Sequence, residues 1–387
     1  ATVVWSNAES YVYNGKNQGA TIGATFELVN GVTQNMTVSF LGTEGKATGE
    51  TEFKNAGTYT ATASFDSYNY LLGDVNKEFV IQKYTVNWHF ISTTITYAAK
   101  TKYLLVNTVN GAKVSDDDIT TVTDPVTEES LGILYSYSTN GAQTTGRGAR
   151  NAGVYSVTAR LDNGNPSDEN YTGSNYNDWN GEATFTIERQ VLTGYVENID
   201  KVYDGTVHCD GAVLTGIFVE DSVHLRYEGS YDNKNVGTNK PISIVLSADE
   251  GYEYLLDNYI VSYSGSGSIT TRVLTPANSA LTYWSKVYDG TVASVNNPIT
   301  VFSGNQIVEG DDLTVTASYN SKNVLEANAV VFGLSGADTG NYSMDSLVFD
   351  EVDFKNVFLI TALSRGITWS NYDYTYNGKS RDVIAYI

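Results

Sequence analysis

The sequence predicts an all-β chain of tandem immunoglobulin-like β-sandwich domains strung into an elongated rod. Three observations predict it: apolar residues alternate with a period of two, turn signals are dense, and blocks of sequence recur roughly every hundred residues. Alternation is clearest over 58–65, where Tyr59, Ala61, Ala63 and Phe65 share one face and Thr58, Thr60, Thr62 and Ser64 the other. Tyr155, Val157, Ala159 and Leu161 repeat the pattern. β-Branched and aromatic residues, which suit a pleated surface, dominate these runs. Asn14-Gly15, Asn30-Gly31, Asp204-Gly205, Asp289-Gly290 and Asn377-Gly378 supply tight turns. No segment keeps a 3.6-residue period for three turns. A β-grasp-like unit is the alternative architecture.

The recurrences set the boundaries. Val4-Trp5-Ser6-Asn7 followed by Tyr11-Val12-Tyr13-Asn14-Gly15-Lys16 returns as Thr368-Trp369-Ser370-Asn371 followed by Tyr374-Thr375-Tyr376-Asn377-Gly378-Lys379. A looser copy is Val86-Asn87-Trp88 with Ile95-Thr96-Tyr97. Asn55-Ala56-Gly57-Thr58-Tyr59 matches Asn151-Ala152-Gly153-Val154-Tyr155. Lys201-Val202-Tyr203-Asp204-Gly205-Thr206 recurs as Lys286-Val287-Tyr288-Asp289-Gly290-Thr291, and Lys234-Asn235-Val236 as Lys322-Asn323-Val324. The expected repeats are 1–83, 84–189, 190–272 and 273–365, with 366–387 the start of a fifth. Each is expected to close its own two-layer interior. Closing strands run into opening strands with almost no linker, which predicts semi-rigid junctions. The chain reads as a piece taken from something longer.

The Asn55–Ala61 segment resembles the tyrosine corner of immunoglobulin-like domains, in which a Tyr hydroxyl bonds to backbone just upstream. It places Ala61 and Val157 at a core position. Lys201–Thr206 and Lys286–Thr291, with Asp232–Pro241 and Gly336–Tyr342 behind them, resemble the YDG repeat. The units at 1–83, 84–189 and 366–387 resemble MBG repeats; in the second, Ala98-Ala99-Lys100 replaces Asn-Gly-Lys. The resemblance implies a large secreted or surface-attached bacterial protein of adhesin type, and it implies no catalytic residue.

The formal net charge of −21 opposes nucleic-acid binding and docking on anionic lipid. With 29 Tyr and 13 Phe, the chain is unlike an acidic disordered polymer, and packed cores are expected. Cys209 is the sole cysteine, so no intrachain disulfide forms. No apolar run is long enough for a membrane helix.

No constellation for catalysis emerges, and the chain is expected not to be an enzyme. His89, His208 and His224 lack metal-ligand spacing apart from His208 beside Cys209, and no Gly-x-Ser-x-Gly elbow is present. Acidic clusters at 116–118, Glu220-Asp221 and Glu309–Asp312 could bind calcium, but no Asp-x-Asp-x-Asp-Gly loop occurs and the last two fall at equivalent repeat positions. They are expected to be solvated turns, and no cofactor is assigned. An aromatic platform of Tyr171, Tyr176 and Trp179 is the candidate ligand site, since aromatic anchors are enriched at binding surfaces.

The expected role is a stalk or spacer at the bacterial cell surface or in a secreted protein. The alternatives are repeats that bind a host glycan or protein, and a filament or coat subunit contacting neighbouring copies of itself.

Overall fold

The computed structural model describes residues 2–6, 10–18, 22–42, 53–67, 69–139, 142–144, 146–162, 175–275, 284–294, 302, 306–344, 348–350, 358–370 and 373–386. The chain divides into two compact units. One comprises 1–191, 216–225 and 248–260; the other comprises 192–215, 226–247 and 261–387. The third repeat therefore contributes segments to both.

The chain is all-β, as its period-two pattern predicts; among the described residues the one α-helix, Val219–Ser222, has four residues. No helix long enough to lie across a sheet, as a β-grasp unit requires, is found among them. The first repeat has two sheets. Val3–Ser6, Gly23–Glu27 and Thr33–Asn35 form one; Ser10–Val12, Tyr70–Gln82, Gly57–Ser67 and Thr37–Gly42 form the other, in that order. In the second repeat the main sheet runs Thr121–Thr123, Ser130–Thr139, Gly153–Leu161, Asn180–Glu188, Thr93–Thr96.

One arrangement recurs in all four repeats. A short opening strand pairs in parallel with the closing strand: Ser10–Val12 with Tyr70–Gln82, Thr93–Thr96 with Asn180–Glu188, Asp200–Val202 with Gly265–Thr270, and Trp284–Val287 with Phe358–Thr361. The next residue after each opening strand is a tyrosine. Its N–H continues the ladder: Tyr13 to Gln82 O (2.9 Å), Tyr97 to Glu188 O (2.8 Å), Tyr203 to Thr270 O (2.9 Å) and Tyr288 to Thr361 O (2.8 Å). The closing strand thus fixes where each tyrosine ring leaves the sheet.

The tyrosine corners form as expected. Tyr59 donates to Asn55 O at 2.7 Å and Tyr155 to Asn151 O at 2.8 Å. Ala61 and Val157 are buried. The expectation of separate interiors fails at the first seam. One buried cluster runs from Phe53, Phe79 and Tyr13 through Tyr176 to Trp88 and Leu161, so residues on both sides of 83/84 share it. A small unit buries a smaller share of its surface than a large one, and here residues of the neighbouring repeat add to the burial of the first repeat's apolar end.

Candidate functional site

The repeats meet through a carboxylate that the sequence reading placed in solvent. Asp221 is buried, 1% exposed. Its Oδ2 accepts hydrogen bonds from the hydroxyls of Tyr97 (2.7 Å) and Tyr259 (2.6 Å), while Arg150 lies 3.5 Å from Oδ1. Asp311 repeats this. Its Oδ2 accepts from Tyr203 (2.8 Å) and Tyr342 (2.7 Å), and its Oδ1 from Lys234 (2.7 Å). Glu129 is the third instance, with Tyr13 on Oε1 and Tyr176 on Oε2, both at 2.5 Å. Lys54 occupies the place of Arg150 and Lys234 in the sequence but makes no ion pair with Glu129.

In each clamp the two phenol rings meet edge to face. Centroid separations are 5.5 Å for Tyr13–Tyr176, 5.4 Å for Tyr97–Tyr259 and 5.5 Å for Tyr203–Tyr342, at interplanar angles of 75°, 79° and 74°. This geometry is favourable for aromatic quadrupoles and brings both hydroxyls to one acceptor. Charge-assisted bonds of this length are the stronger kind.

An asparagine beside the second tyrosine completes the seam. Asn175 Oδ1 accepts from Ala56 N (2.8 Å), Asn258 Oδ1 from Ala152 N (2.7 Å) and Asn341 Oδ1 from Val236 N (2.9 Å). Their Nδ2 groups donate to Asn55, Asn151 and Asn235 Oδ1, at 3.2 Å in all three cases. Lys54-Asn55-Ala56-Gly57, Arg150-Asn151-Ala152-Gly153 and Lys234-Asn235-Val236-Gly237 are therefore one motif. The two repeat markers read separately in the sequence serve the same seam. A cation-Asn-small-Gly pattern paired with a downstream Asn-Tyr was the signal that could have revealed it.

Burial raises the phenol pKa values above the usual tyrosine value at all three clamps, and the carboxylate each phenol bonds adds to it. Tyr342 is pushed up to about 12. For Asp311, burial opposes ionisation, but the Lys234 ammonium and the two phenols outweigh it and hold the carboxyl below its usual value. The Asp311 bond in turn raises Lys234. The Asp311 clamp is therefore an ionised, buried carboxylate held by two phenols and a partly exposed ammonium.

The Lys-x-Tyr-Asp-Gly-Thr signature is local scaffolding for this tyrosine. Lys201 Nζ sits among Asp204 Oδ1 (2.8 Å), Thr206 O (2.9 Å), Thr206 Oγ1 (3.0 Å) and His208 O (2.8 Å). Lys286 has the same cage in Asp289, Thr291 and Ala293, at 2.8–3.0 Å. Its ammonium holds the Asp289 carboxyl down at about 2. Gly205 has φ +81°, and a Cβ there would meet Val308 Cγ1 at 2.5 Å; Gly15 has φ +75°, and a Cβ would meet Thr127 O at 2.4 Å. Glycine is required twice over at these turns, by backbone conformation and by the next repeat. Ala99 takes the left-handed conformation (φ 55°) without being glycine.

The sequence-derived candidates land differently. Tyr176 is a buried clamp residue, so its ring is not offered to a ligand. Trp179 is half-buried and edge-on to Trp88, with centroids 5.4 Å apart. Tyr171 lies outside the described residues. The Asp221 and Asp311 turns are buried acceptors rather than solvated clusters; phenols and a basic side chain take the places a cation would need. His208 points outward to Asp210 (2.8 Å) and Glu228 (3.2 Å). Cys209 faces inward, donates to Asn198 O at 3.0 Å, and has its thiol pKa raised by burial. Alternate residues of a strand face opposite sides, so this adjacent pair cannot share a metal. Among the described residues no group of three or more His, Cys, Asp or Glu could hold a metal ion.

Residues 188–266 and 270–348 each match the family model for the YDG domain, so the chain carries YDG domains in tandem. Together they make up less than half of it. No curated protein matches the chain. Among solved structures, Sidekick-1 immunoglobulin domains 1–5 align over 88% of this chain and 81% of that one, at 12% identity and a TM-score of 0.19. The cadherin-like domains 1 to 4 of zebrafish RET align over 87% and 99%, at 9% identity and a TM-score of 0.15. At those TM-scores neither alignment defines a common topology.

Proposed function

We propose that the chain is a spacer segment in the stalk of a large bacterial surface or secreted protein of adhesin type. In this reading MBG-like repeats at 1–83, 84–189 and 366–387 flank YDG repeats at 190–272 and 273–365, and none is catalytic. The observation that carries the reading is the clamp itself. The same two tyrosines, carboxylate and asparagine recur at three consecutive seams. A site for chemistry or for one ligand has no need to recur at every joint; a device that holds successive repeats in a fixed relation does. In a repeat array, stability is the sum of unit terms and neighbour interface terms, and the clamps supply the latter.

Single-molecule pulling of the whole chain tests this. A spacer unfolds in discrete steps and returns after relaxation. Repeats of 83–106 residues release roughly 270–380 Å each at ~3.3–3.6 Å per residue. The same chain on a glycan array is expected to bind nothing. Saturable glycan binding that disappears in Trp179→Ala would replace the spacer with an adhesive role.

A further inference from the structure

Tyr288 is the fourth tyrosine of the series, and among the described residues it lacks the covering that the other three have. It keeps the ladder bond to Thr361 O, and Gly290 beside it keeps the left-handed φ of +82°. Yet Tyr288 is only half-buried, whereas Tyr13, Tyr97 and Tyr203 are buried. Among the described residues its hydroxyl has no hydrogen-bond partner. Among the described residues a Cβ on Gly290 would meet nothing within 4 Å, where one on Gly205 or Gly15 would strike the following repeat. Lys322, in the place of Lys234 and Arg150, is exposed and forms no ion pair among the described residues, and Leu325, three residues on, is 99% exposed.

We propose that this end face of the fourth repeat is a socket for one more repeat of the same kind, which inserts a carboxylate and an Asn-Tyr pair between Tyr288, Lys322 and Asn323. In the three occupied seams the carboxylate follows the first tyrosine by 116, 124 and 108 residues. Counted from Tyr288, that spacing points to positions 396–412. A bare anion satisfies Lys322 but leaves the phenol and the Asn323 Oδ1 unmatched, Asn323 Nδ2 already donating to Glu326 at 2.9 Å; a repeat bearing Asp and Asn-Tyr meets all three. The inference rests on the tandem architecture and not on the spacer role, so its failure would leave the latter standing.

The test extends the chain. Residues 1–365 followed by a second copy of 273–365 place the copied Asp311 116 residues after Tyr288, inside the observed range. Tyrosine nitration by tetranitromethane, read by peptide mass, reports exposure, with Tyr203 as the protected reference. Tyr288 is expected to react in the chain as it stands, to slow at least tenfold in the extended chain, and to recover when the second copy carries Asp311→Ala. A second extension, with residues 190–272 in place of that copy, sets Asp221 109 residues after Tyr288 and is expected to protect it too. Unchanged reactivity in both extensions overturns the socket. Protection that survives the Asp311→Ala change overturns its recognition by a carboxylate.

Discussion

Replacing Asp311 with alanine removes the acceptor on which three donors converge. The carboxylate is 1% exposed and takes Tyr203, Tyr342 and Lys234 at 2.7–2.8 Å. Hydrogen bonds to a charged group contribute about 1.5–3 kcal/mol each, and removing one partner of a buried ion pair costs about 3–5 kcal/mol. Lys234 is 39% exposed and regains water, but the two phenols stay covered with no acceptor. The expected loss at this seam is therefore about 3–4 kcal/mol. Native-state hydrogen exchange reads it locally. The amides of Val236, bonded to Asn341, and Val308, bonded to the Tyr342 hydroxyl at 2.9 Å, report seam opening. Both should exchange roughly 100- to 1,000-fold faster in Asp311→Ala, at tenfold per ~1.4 kcal/mol. Tyr203→Phe should be costly in the natural chain and nearly silent once Asp311 is gone, because the two act as one unit. Acceleration below tenfold, or an equal Tyr203→Phe cost in both backgrounds, would refute the carboxylate as the organiser of the seam.

Gly205→Ala should destabilise by about 1–2 kcal/mol from its left-handed φ alone, and further through the contact with Val308. Gly290→Ala, with the same φ and open space, should cost only the backbone share, and equal losses in urea unfolding would contradict the packing argument. Lys286→Met keeps the buried stem but strips the donors from Thr291 and Ala293 carbonyls; a loss of about 1–3 kcal/mol is expected, against no measurable change for exposed Lys322→Met. Ala99→Gly should relieve the left-handed strain at φ 55° and raise stability by about 0.5–1 kcal/mol, whereas a loss would show that the Ala99 methyl packs more than it strains. The seams also set a pH window. The folded Tyr342 phenol sits at about 12 and an unfolded one near 10, so its contribution is complete below about pH 10 and disappears between about 10 and 12. Asp311, lowered in the fold, contributes fully above about pH 3.9 and loses that contribution as the pH falls through its folded value. Urea midpoints that rise between pH 10 and 12 would contradict the phenol assignment.

How much of this was legible beforehand depends on the range of the interaction. The strand Gly57–Ser67 could be read directly, because alternation about a pleat is a property of neighbouring residues. The Tyr59 and Tyr155 corners were equally readable, since donor and acceptor are four residues apart. The Asp-Gly turns were recognised as turns, but their second constraint, the approach of Val308 to Gly205, was not, because the two lie in different repeats.

Asp221 and Asp311 show where local reading ends. An acidic turn ahead of a strand looks solvated when only its neighbours are considered, and most such turns are. Burial depended on Tyr97 and Tyr203, which lie 124 and 108 residues earlier, and on Tyr259 and Tyr342 in the same repeats. Tyr176 was misjudged for the same reason: an aromatic cluster looks like a platform until a neighbouring repeat covers it. Patterning and turn chemistry, both short in range, were enough to specify strands and turns in this chain. The joints needed three dimensions, because a buried charge is tolerated only where groups far apart in sequence arrive together to satisfy it.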